Sequence, residues 1–282
     1  MLVKPKKSLG QHFLSDRRIA RRIVEAVSPS GRDAIIEIGP GEGALTRQLL
    51  DDCGFLVCIE IDRELVERLR GSIEAKNLSV IEGDALQVNW GDIIEAAKRG
   101  WSEHVGEEHA GEDVGPVVRL VANLPYYIST PLIQILIRQP MVEMTLMLQR
   151  EVVDRIIASP GGREYGYFSV LVQYYCEAQE LFEVSPSAFR PPPKVKSAVI
   201  RLRKRATPIV SVQSEKSFFA LVRAAFAQRR KTIHNNLKAA ASALGFDSIA
   251  AEPFLKANID PKRRAETLSI AEFAALHSAL FE

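Results

Sequence analysis

Asn123-Leu124-Pro125-Tyr126 stands directly after the apolar residues Val117, Val118, Leu120, Val121 and Ala122. It sets a side-chain amide, a proline-restricted turn and an aromatic ring at the end of an expected buried strand. The Asn123 side-chain oxygen and the Leu124 carbonyl can hold the hydrogens of an exocyclic amino group. Pro125 fixes the turn, and the Tyr126 ring can stack on the flat base carrying that group. Upstream, Glu37-Ile38-Gly39-Pro40-Gly41-Glu42-Gly43 is a glycine-rich turn after another apolar stretch. Glycines there allow a tight turn and close approach of a ligand to the backbone. Together the two segments imply a methyl group moved from a sulfonium donor to an adenine.

The donor site alone is ambiguous. Gly39, Gly41 and Ala44 also satisfy the G-x-G-x-x-A dinucleotide pattern, which admits NAD. Glu60 ends the next expected strand, 21 residues after Gly39. A carboxylate there can accept both ribose hydroxyls of an adenosine moiety, which NAD and S-adenosylmethionine share. Asp84 ends a third expected strand and can accept from the adenine amino group, or cap the turn that follows. The acceptor site favours methyl transfer. Adenine's amino nitrogen is a poor nucleophile because its lone pair is delocalised into the ring. Two acceptors favour a pyramidal nitrogen and stabilise the positive charge that develops on attack. The proton then leaves to solvent, so no catalytic histidine is required. A reacting base must leave its stack, flipped out or already in a loop. Phe189, just before Pro191-Pro192-Pro193, either supplies the opposite stacking face or is a core side chain.

The elements that position these groups follow from periodicity. Residues 16–27, after Ser15 as cap, read as an amphipathic helix with Ile19, Ile23, Val24 and Val27 on one face. Strands are expected at 34–38, 55–61, 78–82, 117–122, 144–148 and 195–202. Helices are expected at 44–50, 63–75, 130–138 (Pro131 in its first turn), 151–158 and 166–176. Strands alternating with helices imply crossover units and a mostly parallel sheet. The carboxyl ends of successive strands carry Gly39, Glu60, Asp84 and Asn123, the edge where open α/β sheets bind ligands. Residues 101–116 hold five acidic residues and four Gly or Pro, without Lys or Arg, and read as a mobile surface loop. His104 and His109 lie in it without a third ligand at metal spacing, so no metal is expected. From about residue 207 the pattern is helical only, with helices at 218–227, 229–243 and 270–280.

With 282 residues and 46% hydrophobic composition the chain can bury a sizeable core in one or two domains. No apolar run is long enough for a membrane span, and the basic N-terminus lacks the apolar stretch of a secretory signal. Cys53, Cys58 and Cys176 show no metal spacing and read as reduced structural thiols of a cytoplasmic protein. The net charge of +2 hides an asymmetry. Residues 1–30 carry seven Lys and Arg against two Asp and Glu; residues 31–189 carry 13 against 26; residues 190–282 carry 17 against 7. Basic ends around an acidic middle point to a polyanionic partner, nucleic acid.

The chain resembles the ribosomal RNA adenine dimethyltransferases, and among them the bacterial small-subunit enzymes. The matching segments are Ser8-Leu9-Gly10-Gln11-His12-Phe13-Leu14, residues 37–43, Glu60-Ile61-Asp62, Gly83-Asp84-Ala85, residues 123–130 and residues 189–197. Arg229-Arg230-Lys231-Thr232 and Asn235-Asn236-Leu237 extend the match into the helical part. The resemblance implies an α/β fold: a Rossmann-like S-adenosylmethionine-dependent methyltransferase sheet over residues 1–205, with a small C-terminal all-helical rRNA-binding domain over 206–282. It implies dimethylation of two adjacent adenines in the hairpin loop near the 3′ end of small-subunit rRNA. It also implies cofactor contacts by His12, Leu14, Gly39, Glu60, Asp84 and Asn123, with Gly41 in the same turn. His12 stands where the family often carries Asn. The basic ends, with Lys4, Lys6 and Lys7 and with Arg229, Arg230 and Lys231, then have rRNA phosphates to bind. A monomer acting on rRNA within an immature 30S particle is expected. Three alternatives share parts of this pattern: a large-subunit rRNA methyltransferase of the macrolide-resistance type, a non-catalytic assembly factor, and a NAD-dependent oxidoreductase.

Overall fold

The computed structural model describes residues 5–6, 9–105 and 115–281. Its elements run β1 (Phe13–Leu14), α1 (Arg17–Val27), β2 (Asp33–Ile38), α2 (Thr46–Leu49), β3 (Phe55–Glu60), α3 (Arg63–Ser72), β4 (Leu78–Glu82), α4 (Trp90–Val105), β5 (Val117–Asn123) and α5 (Ser129–Leu136). They continue with β6 (Glu143–Gln149), α6 (Arg150–Ile157), α7 (Tyr167–Tyr175), β7 (Cys176–Val184), β8 (Phe189–Arg190) and β9 (Ser197–Lys204). Four helices follow: α8 (Glu215–Ala225), α9 (Ile233–Ala239), α10 (Glu252–Lys256) and α11 (Ile270–Phe281).

Seven strands form one sheet in the order β4-β3-β2-β5-β6-β9-β7. The five strands β4, β3, β2, β5 and β6 pair in parallel, and β9 runs antiparallel to β6. Every residue of β2 is buried, as a central parallel strand covered on both faces requires. The expected mixed α/β sheet is therefore present. Its order reverses at β2: β3 and β4 lie on one side, β5 and β6 on the other. Chains leaving β2 and β5 diverge there, which opens a crevice at their carboxyl ends. The register pairs Ile38 with Ala122, so Gly39 and Asn123 emerge side by side at that point.

Several local expectations are corrected. Asp16, not Ser15, caps α1, accepting from Arg18 N–H at 2.9 Å. Ser15 instead donates its N–H to Ala188 O at 2.8 Å. Residues 101–105 are not loop but the last turn of α4. Trp101 is buried there and donates to Gly31 O at 2.7 Å, an apolar anchor that outweighs the acidic composition around it. Residues 106–114, with His109, lie outside the described residues, as do Lys4, Lys7 and Ser8. The helix expected at 229–243 starts only at Ile233, with Thr232 as its cap. All three cysteines are free and buried, and burial pushes the Cys53 thiol up to about 12. No helix among the described residues is long and apolar enough to cross a membrane.

The chain divides into two compact units, Met1–Val153 with Glu177–Lys204 and Asp154–Cys176 with Arg205–Glu282. The changeover at 204/205 lies within one residue of the expected boundary at 205/206, and residues 154–176 in addition group with the later helices. Aromatic packing gives the reason. In the second unit Tyr174 lies 5.4 Å from Phe218 between ring centroids, and Tyr165 lies 6.0 Å from Phe226. Burying such rings contributes on the order of 2–3 kcal/mol each. Segment 154–176 therefore follows its aromatic partners rather than its chain neighbours.

Candidate active site

The turn after β2 is built on glycine conformations. Gly39 has φ +66° and Gly41 φ +59°, both in the left-handed region that side-chain-bearing residues rarely adopt. A Cβ on Gly41 would also lie 3.1 Å from the Phe13 ring. Glu37, in β2 two residues before Gly39, braces the turn. It is fully buried and accepts from Thr46 Oγ at 2.8 Å and from Cys58 Sγ at 3.6 Å. Burial pushes its carboxyl up to about 7, with the two hydrogen bonds opposing. Thr46 opens α2, so this bond ties the strand before the turn to the helix after it.

Glu60 and Asp62 form the second wall. Glu60 is buried at the end of β3 and accepts from Gly41 N–H at 3.2 Å and Asp62 N–H at 3.0 Å. Burial raises its carboxyl above the ordinary range, against those two bonds. Asp62 caps α3 through Glu64 N–H at 3.1 Å. It also receives Lys6 Nζ at 2.5 Å and Gln11 Nε2 at 3.0 Å. Burial opposes ionisation of Asp62, but Lys6 and Gln11 outweigh it and hold its carboxyl low. The N-terminal strap is thereby fastened across the ends of β2 and β3. Lys6, expected on phosphate, is engaged in this ion pair instead. Asp84, after β4, accepts from Leu86 N–H at 2.9 Å and Gln87 Nε2 at 2.7 Å. It caps its own turn and also lines the cleft; a carboxylate's lone pairs leave room for a further donor.

Asn123 closes β5. Its Nδ2 donates to His12 O at 3.2 Å. A carbonyl partner requires the amide nitrogen to face it, so Oδ1 is left as the acceptor for an incoming group. Leu124 donates its N–H to Met147 O at 3.2 Å, extending the ladder one residue past the strand end. The turn is closed by Ile128 N–H on Pro125 O at 3.2 Å and by Ser129 Oγ on Tyr126 O at 2.9 Å. The Tyr126 hydroxyl pairs with Ser197 Oγ at 2.8 Å, and its ring stacks on His12 with centroids 5.8 Å apart. Burial pushes its phenol up, so it stays neutral near pH 7.

One cleft collects most of the expected residues. His12, Gly39, Gly41, Glu60, Asp84, Asn123, Leu124, Pro125 and Tyr126 all line it. Leu14 and Phe189 do not. They face each other in the β1–β8 ladder and belong to the apolar core, where Phe189 is 4% exposed. Of its two expected readings, Phe189 takes the core one. The segment after it holds the strap: Pro191 O accepts from His12 Nδ1 at 2.7 Å. This fixes the His12 tautomer when neutral, leaving Nε2 as an acceptor. The proline-rich segment therefore shapes the cleft indirectly, through His12 and, via Ser197, through Tyr126. Sequence spacing does not predict the Lys6–Gln11–Asp62 clasp or the Glu37–Thr46 brace. The signal for the first is the pair Glu60 and Asp62, one carboxylate ending β3 and the other capping α3 two residues later.

The donor set fits an adenosyl group carrying an amino acid. It offers buried carboxylate oxygens at Glu60, a second acceptor at Asp84, open backbone at Gly39 and Gly41, and apolar flanks at Ile38 and Ile61.

The model of the ribosomal RNA adenine dimethylase family matches residues 3–278. The chain belongs to the ribosomal RNA adenine dimethylase family. Relatives in this family include the ribosomal RNA small subunit methyltransferase A of Moorella thermoacetica, 43% identical over 98% of this chain and 92% of that protein. The protein of the same name from Anoxybacillus flavithermus is 44% identical over 98% of this chain and 90% of its own length. Among solved structures, a dimethyladenosine transferase from Plasmodium falciparum superposes with a TM-score of 0.74 at 23% identity, covering 94% of this chain and 96% of its own. The 23S rRNA methyltransferase ErmE gives 0.65 at 23% identity, covering 96% and 100%. Both share the fold of this adenine dimethylase chain.

Proposed function

We propose that the protein is a small-subunit rRNA adenine N6,N6-dimethyltransferase that uses S-adenosylmethionine. The observation that carries this reading is the cleft itself. It sets Asn123 beside Gly39 at the sheet's switch point, so an amino-group acceptor and a donor-binding turn share one crevice. Family membership and relatives bearing the small-subunit name support the same choice.

Glu60 holds the ribose hydroxyls, Asp84 the adenine amino group, and Gly39 and Gly41 let the donor lie against the backbone. Bound there, S-adenosylmethionine supplies an electrophilic methyl group on a sulfonium centre. Asn123 Oδ1 and the Leu124 carbonyl orient the amino group of the target adenine and stabilise its developing charge. Tyr126 supports the base, and the released proton passes to solvent. The protein acts as a cytoplasmic monomer on two adjacent loop adenines of 16S rRNA, within an immature 30S particle. Residues 1–205 carry the catalytic site apart from 154–176, and the helical unit binds rRNA.

Labelled S-adenosylmethionine with immature small subunits from a strain lacking the enzyme tests this directly. Label at two neighbouring adenines near the 3′ end is expected; label in large-subunit rRNA, or none, overturns it. The phosphate contacts have their own signature. Arg230 and Lys231 are exposed before α9, whereas Arg229 also donates to Arg163 O at 2.6 Å. Each phosphate contact contributes about 0.7–0.9 to the slope of log affinity against log salt. Arg230→Ala should lower that slope by about 1 in a hairpin-binding titration; an unchanged slope removes Arg230 from the interface.

A further inference from the structure

Tyr127 is a large side chain of the cleft that the reaction above does not use. The residue is 57% exposed, yet it lines the same cleft as Asn123 and Glu60. The residues around it are fixed. Tyr126 is bonded to Ser197, and Ile128 is buried at the start of α5. One flank of the ring rests on the strap. Gly10 has φ +57°, a conformation that favours glycine, and a Cβ there would lie 3.3 Å from Tyr127 Cδ1, a tight contact, so the backbone passes close against the ring. The next residue, Gln11, is bonded to Asp62, which anchors that backbone. The structure thus sets an exposed aromatic residue in the cleft lining, with one side of its ring against Gly10. An accessible aromatic face offers an offset-stacking site to a second ring.

We propose that Tyr127 stacks on the RNA base next to the adenine held by Asn123 and Tyr126. The inference rests on the function proposed above. Extruding an adenine takes away a stacking partner from its neighbour, and an aromatic side chain at the rim replaces that partner. Every base has a π-face, so the contact supplies RNA affinity without selecting a sequence. With two adjacent targets, the base on Tyr127 is the second adenine while the first is in the pocket.

The test compares Tyr127→Ala, Tyr127→Phe and the wild-type full-length protein. It measures kcat and KM for the immature subunit in methyl transfer, and Kd for S-adenosylmethionine by calorimetry. Tyr127→Ala should raise KM for RNA about tenfold, leaving the donor Kd unchanged, and Tyr127→Phe should match wild type. Three results overturn the proposal: a wild-type KM in Tyr127→Ala, a loss in Tyr127→Phe as large as in Tyr127→Ala, or a parallel rise in the donor Kd. A wild-type protein that transfers no methyl groups strikes the proposed function instead. Fluorescence titration of a hairpin carrying 2-aminopurine at the flanking position, without donor, then decides stacking by itself: quenching lost in Tyr127→Ala supports it, equal quenching refutes it.

Discussion

Asn123→Ala is expected to lower kcat for methyl transfer by about 100- to 1,000-fold, the range seen when one preorganised partner of a developing charge is removed. Two features of the structure make this larger than an ordinary hydrogen-bond deletion. The bond from Asn123 Nδ2 to His12 O leaves Oδ1 fixed in place before substrate arrives, so no reorganisation is needed at the moment of attack. The remaining acceptor, the Leu124 carbonyl, belongs to backbone held by the Leu124 N–H bond to Met147 O at 3.2 Å, so it does not move to take the place of the lost amide oxygen. Binding of S-adenosylmethionine should stay nearly unchanged, because Glu60, Asp84 and the glycine turn are untouched. Asn123→Asp makes a useful companion. It keeps an oxygen acceptor but sets a carboxylate against the His12 carbonyl, so activity should fall while the donor still binds. Single-turnover kinetics with saturating donor separates the steps. Wild-type turnover in Asn123→Ala would refute the role given to its side chain.

The second large effect lies at Glu60. Glu60→Ala should weaken S-adenosylmethionine binding by about 30- to 1,000-fold, equivalent to about 2–4 kcal/mol for lost hydrogen bonds to a charged acceptor. The same change leaves the Gly41 and Asp62 N–H groups without their acceptor. A melting curve must therefore accompany the titration, since each buried donor left unpaired costs about 1–3 kcal/mol. Glu60→Gln keeps the shape and one acceptor oxygen, and its Kd should fall between wild type and Glu60→Ala. Calorimetry on both variants checks the order. Equal Kd values for all three proteins would show that the carboxylate does not hold the donor.

What could be read in advance follows the range over which each interaction acts. The strands ending in Gly39, Glu60, Asp84 and Asn123 declare themselves because each pairs a short apolar run with a turn residue a few positions later. Parallel pairing then brings those ends together, so most of the cleft was legible. The α4 helix was not, because its last turn at Trp101–Val105 borders acidic residues that mimic a loop; its anchor, the bond from Trp101 to Gly31, spans 70 residues. The strap was equally hidden. Lys6 looks like a free cation until Asp62, 56 residues on, is brought beside it. Phe189 is the instructive case. Its position before three prolines suits either a substrate wall or a core, and only its pairing with Leu14 decides for the core. The grouping of residues 154–176 with the later helices is hidden for a related reason, because ring packing between residue 174 and residue 218 leaves no local trace.

That interleaved layout has a consequence for how the molecule is made. During synthesis, residues 154–176 leave the ribosome before the stretch from 205 that completes their unit. Tyr165 and Tyr174 must wait, uncovered, while the strands β7, β8 and β9 are translated and drawn into the sheet. The sheet can close before the helical part exists, since β9 supplies its last antiparallel strand ahead of Arg205. A nascent chain halted there would display two orphaned aromatic rings, a natural target for chaperones that bind exposed apolar segments. For the same reason, a fragment starting at residue 206 lacks part of its own interior and should fold poorly, whereas joining 154–176 to it through a short flexible linker should restore a compact body.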